Sequence, residues 1–125
     1  MLKTLLLVGT GGFLGSIGRY LGSLYGNRLI PSEGFPFGTF LVNILGCFLI
    51  GLIYGLAEKH DWMTPEARLF LATGFCGGFT TFSTFSHESF TLLNNGQHTH
   101  FFLYITLSIV IGIALAFLGL TIGKA

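Results

Sequence analysis

Charge is what this sequence has least of. Its 125 residues include six Lys or Arg and five Asp or Glu, 9% of the chain, where a soluble domain carries about 25%. So few charges cannot build a surface that faces water. The shortage excludes a disordered chain, a soluble enzyme domain and a nucleic-acid binder that works through a basic patch. A net charge of +1 draws no acidic partner. Cysteine is nearly absent as well. Cys47 and Cys76 form no CxxC pair, lie in apolar stretches and read as buried thiols acting as small hydrophobes. Paired carboxylates, a Ser/His/Asp arrangement with a pocket and a phosphate loop are all missing, so the chain is not expected to be an enzyme.

Apolar residues fill the space that charge leaves. Hydrophobic residues make up 51%, glycine adds 19 more, and the mean hydropathy is +0.76. Thr4–Gly18, Gly34–Ala57, Leu69–His87 and Ser89–Gly123 carry no Lys, Arg, Asp or Glu. A membrane helix needs about 20 mostly apolar residues. The pattern therefore predicts an all-α membrane protein with spans at about 4–26, 36–57, 66–93 and 101–123, forming one membrane domain over 1–125. No A-x-A cleavage site follows the apolar N-terminus, where the first alanine is Ala57, so the first span is expected to be retained. An even number of spans puts both termini on one side. Lys3, Lys59, Arg68 and Lys124 fall there, against Arg28 and the deeper Arg19, a modest bias toward cytoplasmic termini.

Small residues recur at helical spacing. Gly11, Gly15, Gly18, Gly22 and Gly26 follow one another at intervals of three or four and form one stripe of the first span. In lipid such a stripe lets a second backbone approach closely. Gly51 and Gly55 repeat the device in the second span, as do Ser108, Gly112 and Ala116 in the fourth. Pro36 suits a helix first turn, where its missing N–H is not needed. The third segment is too long and too rich in glycine, threonine and serine for one continuous helix, and a break is expected near Gly77-Gly78. Irregular backbone at that depth must be buried in protein or line a cavity.

Polar groups inside a membrane are costly and mark candidate sites. Arg19 can line an anion path, snorkel to the interface or pair with backbone carbonyls. Asn43 can glue helices or offer its amide to a ligand. Glu88 reads either as an interfacial residue or as a polar group at a pore mouth. His98 and His100 alone are too few ligands for a metal site. Phe79, Phe82 and Phe85 recur every three residues with Thr81, Ser83, Thr84 and Ser86 between them. Aromatic rings have positive edges, so such rings can either pack a core or meet an anion edge-on. Carbonyls freed at the break, Gly77 and Thr80 among them, can hold a small hard cation or be satisfied by water.

Three segments carry a resemblance. Gly74-Phe-Cys-Gly-Gly-Phe-Thr-Thr-Phe-Ser-Thr-Phe-Ser86 resembles the signature of the Fluc (CrcB-like) fluoride channels. Gly38-Thr39-Phe-x-Val-Asn43-x-x-Gly46 resembles that family's second-span motif, and Gly15-x-x-x-Arg19-Tyr20 its first. The resemblance implies a passive, fluoride-selective channel that lowers cytoplasmic fluoride. It implies a multi-pass protein of a prokaryotic plasma (inner) membrane, and an antiparallel, dual-topology homodimer with two pores and a central structural sodium ion. Carried over by position, Phe82 and Phe85 turn ring edges to fluoride and Asn43 lines the pore. Ser83 and Thr84 supply hydroxyls beside the rings, and Tyr104 and Ser108 form a polar track. Gly77 and Thr80 supply the sodium-binding carbonyls. Arg19 and Glu88 are candidates for the vestibule. Gly112 stands where the track has a second serine. Fluoride, a second copy of the chain and the bilayer are the implied partners, and nucleic acid is not one.

Two other readings are open. A small proton-coupled exporter shares the four-span design but needs a membrane-embedded carboxylate, for which Glu88 is the one candidate. A non-transporting assembly subunit would use the glycines as packing faces alone.

Overall fold

The computed structural model describes all 125 residues, and every regular element is helical. Helix α1 (Leu2–Leu29) contains no proline and stops two residues short of Pro31, which disfavours helix in the residue before it. Helix α2 (Phe37–Lys59) begins directly after Pro36. The start of α2 is secured by the end of α1: Asn27 Oδ1 accepts the Gly38 N–H at 2.9 Å, filling one of the unpaired amides of a helix N-terminus.

The third rod is composite. It opens with α3 (Pro65–Arg68), where Thr64 caps the first turn by accepting the Ala67 N–H at 3.2 Å and Pro65 occupies the tolerant first position. A π-helical stretch (Leu69–Cys76) and α4 (Gly77–Phe79) continue the same rod. Thr80 and Thr81 are extended, and α5 (Phe82–Asn94) follows. A short turn with Gly96 at φ +76° leads to α6 (His98–Lys124).

The break is real but displaced from Gly77-Gly78 to Thr80-Thr81. Gly77 is helical at φ −61°. The glycines are needed for approach rather than for bending. A methyl group on Gly78 would lie 3.1 Å from Gly12 Cα, and one on Gly74 would lie 3.0 Å from Gly11 Cα, so both admit the α1 backbone. The β-branched threonines, which favour extended backbone, take the break instead.

Both glycine stripes lie between helices. In α1, Gly11, Gly15 and Gly18 face the third rod, while Gly22 and Gly26 face α2. On the other side of α2, Gly51 and Gly55 meet the backbone of α6 at Ala116 and Leu120, and Gly119 and Gly123 meet α2 at Phe48 and Leu52. The α6 stripe thus runs further toward the C-terminus than Ser108, Gly112 and Ala116.

Helices α2 and α6 are long and apolar enough to cross a membrane, with mean hydropathies of 2.3 and 2.6 over their best windows. Helix α1 is equally long at 28 residues, but its glycines and Arg19 make it less apolar. Only 23 of 125 residues are buried, and Phe13, Phe102, Ile113 and Phe117 all point outward. An apolar exterior of this kind calls for lipid or another protein surface against it.

Candidate functional site

The site is built around the break. In an unbroken helix the Thr81 amide would donate to the Gly77 carbonyl and the Thr84 amide to the Thr80 carbonyl. Both amides are diverted. Thr81 N–H donates to Asn43 Oδ1 at 2.7 Å, and Thr84 N–H donates to Thr81 Oγ1 at 3.1 Å, which caps α5. The carbonyls of Gly77 and Thr80 thus lose the amides that an unbroken helix would give them. Gly78 differs: its carbonyl accepts the Arg19 Nε–H at 3.0 Å. Of the three roles open to Arg19, pairing with a backbone carbonyl is the one observed.

Asn43 braces the break at two points. Its Nδ2 donates to the Thr81 carbonyl at 3.0 Å while its Oδ1 takes the Thr81 amide. One amide proton remains uncommitted, because Nδ2 carries two. Gly46, one turn on, lets Thr80 close in, since any side chain there would run into Thr80 Cγ2.

A groove of about 620 Å³ opens beside the break. Asn43, Gly77, Thr80, Phe82, Phe85 and Ser108 all line it, drawn from α2, both halves of the third rod and α6. None of its lining residues is charged. Phe82 and Phe85 sit on one face of α5 with ring centroids 5.9 Å apart, tilted by 41°. Phe82 is 79% exposed, whereas Phe85 is half-buried and rests on Tyr104 at 5.0 Å. Ser108 Oγ is enclosed and has no hydrogen-bond partner in the chain. A buried hydroxyl left unpaired costs about 1–3 kcal/mol, so it marks a place where something else belongs.

Other predicted residues lie off the groove. Ser83 is exposed, with its hydroxyl 3.3 Å from Thr81 Oγ1. Thr84 is engaged through its amide in the cap. Tyr104 is fully buried behind Phe85, where its hydroxyl donates to Glu88 Oε1 at 2.9 Å. Glu88 also accepts from Thr39 Oγ1 at 3.0 Å on Oε2. It is therefore a half-buried carboxylate held by two hydroxyls, not a free group at the water edge. His98 and His100 belong to no group of three metal-ligating side chains.

Thr39 and Thr81 hold neighbouring groups in ways that residue-type reasoning did not assign. Thr39 lies four residues before Asn43 and so shares its helix face, a spacing visible in the sequence. Thr81 stands three residues before the amide it caps, which is N-cap spacing. Cys76 is buried in an apolar core cluster and Cys47 is half-buried, as small hydrophobes would be, and both also border the groove. Nothing in their sequence surroundings marks that.

The chemistry on offer is uncharged: an amide, a hydroxyl and two aromatic rings line one slot beside the break. The family model described as "CrcB-like protein, Camphor Resistance (CrcB)" matches residues 6–120. A protein of Flavobacterium psychrophilum named "Fluoride-specific ion channel FluC" is 46% identical over 123 residues, covering 98% of both chains. A protein of the same name from Chlorobium luteolum is 50% identical over 121 residues, 97% of this chain and 92% of the relative. One from Leptospira interrogans is 48% identical over 118 residues, 94% and 91%.

Proposed function

The chain belongs to the CrcB-like family, and from that premise we propose that it is a fluoride-selective channel that lets fluoride leave the cell passively. The observation that carries the proposal is the uncharged groove that joins Asn43, Phe82, Phe85 and the unpartnered hydroxyl of Ser108. Fluoride is small and strongly hydrated, so a path must replace its water with hydrogen-bond donors. Amide, hydroxyl and ring-edge positions do this in turn. A cation at every step would trap the ion, and conduction requires release. Proton-coupled export is disfavoured by Glu88, which both Thr39 and Tyr104 already engage.

The working unit of this proposal is an antiparallel homodimer of dual topology in a prokaryotic inner membrane, with two pores. One chain provides a slot open on one side, and a second copy closes it. The carbonyls of Gly77 and Thr80 suit a central sodium ion because the break diverts their helical donors, the Thr81 and Thr84 amides. Sodium when bound supplies positive potential at the midplane. The protein's part is to divert the two amides, through Asn43 and the Thr81 cap.

Reconstitution into liposomes tests the reading. Vesicles loaded with equal fluoride and chloride should lose fluoride and retain chloride. Release of both at one rate overturns the selectivity.

A further inference from the structure

A second cavity, of about 330 Å³, lies at the α3 end of the groove and is lined by Tyr54, Pro65, Arg68, Leu69 and Thr73. Tyr54 and Thr73 line the groove as well, so the two spaces share a wall. Arg68 is unlike the other cations of the chain. Lys124 pairs with Glu58 at 3.4 Å, Arg19 is committed to Gly78, and Lys3, Arg28 and Lys59 are exposed. Arg68 is half-buried, its Nε is fully enclosed, and nothing in the chain accepts a hydrogen bond from it. Tyr54 and Thr73 add two hydroxyls to the lining, and no carboxylate lines the cavity.

Resting on the channel reading above, we propose that this cavity is an anion-recruiting antechamber, in which Arg68 draws fluoride to the end of the uncharged groove. The enclosed Nε–H of Arg68 needs an acceptor. Hydroxyls can donate or accept, but a lining with a cation, two hydroxyls and no carboxylate favours a ligand that accepts from all three, and an inorganic anion meets that requirement. Placing the one cation outside the slot raises the local anion concentration without holding the ion inside it. A lipid phosphate has the same chemistry, but it would occupy the site permanently and not in transit.

The test is the initial rate of fluoride release from phosphatidylcholine vesicles against fluoride concentration, for the intact protein, Arg68→Gln and Arg68→Lys. Arg68→Gln should be slower by about tenfold at low fluoride, and equal to the intact protein at saturation. Arg68→Lys should stay close to the intact protein. Inert salt should slow the intact protein at low fluoride and leave Arg68→Gln unaffected. A defect of one size at every fluoride concentration means a structural or lipid-held arginine and overturns the proposal, as does an unchanged Arg68→Gln. If Arg68→Gln does not assemble, a rate for the intact protein that ignores ionic strength overturns it equally. Intact protein that releases no fluoride retires the channel reading and the antechamber together, whereas failure of Arg68→Gln alone leaves the channel standing.

Discussion

Asn43 and Ser108 share one groove and play opposite structural parts. Asn43 satisfies both backbone groups of Thr81, so Asn43→Ala leaves an amide and a carbonyl unpaired at the break. Each such group costs about 1–3 kcal/mol, and the variant should melt well below the parent protein in detergent. Ser108 makes no bond within the chain. Ser108→Ala should therefore not destabilise the protein, and relieves a cost of about 1–3 kcal/mol, while fluoride release slows. Thermal melts beside flux assays separate the two, and a large loss of stability in Ser108→Ala would show that its hydroxyl serves the fold.

At the scale of elements, two threonines side by side make the break and do different work. Thr81 caps α5 through Thr84 and takes the Asn43 brace. Thr80 turns its hydroxyl back onto the Cys76 carbonyl at 2.9 Å, a bond within its own turn. Thr81→Ala should cost about 1 kcal/mol through the lost cap, and Thr80→Ala should cost less, as read from melting temperatures. Equal losses would contradict this division. The displaced break also shows what a sequence conceals. Glycine-rich stretches predict weak helix, and Gly77-Gly78 is such a stretch. Gly74 and Gly78 are helical because α1 packs on them, a tertiary demand that local propensity does not contain. The α1 stripe was legible for the complementary reason: five glycines at helical spacing have few other uses in lipid. Asn43 and the Phe82–Phe85 pair were legible because a lone amide and regularly spaced rings stand out against an apolar background. The Glu88–Thr39–Tyr104 cluster was not, because its members come from three helices and only packing brings them together.

At the scale of the molecule, one chain is mostly surface. With 23 of 125 residues buried and the groove open along one side, a single 13.5 kDa copy encloses no pore. Light scattering in mild detergent should report a protein mass of two copies, and a stable monomer that still conducts would contradict the dimeric pore. The scarcity of charge, 9% of the sequence, bears on both membrane residence and conduction. The slot through which an anion is proposed to move contains no cation, so its donors must be neutral. Phe82 is the residue that isolates this claim, because it is 79% exposed and contributes little to packing within the chain. The most direct measurement is fluoride-electrode efflux from vesicles holding either the intact protein or Phe82→Ile, with the assembly checked by size exclusion. Intact protein should empty the vesicles, and the correctly assembled variant should release fluoride far more slowly. Equal efflux from both, or none from the intact protein, would contradict conduction along the ring edges of this groove.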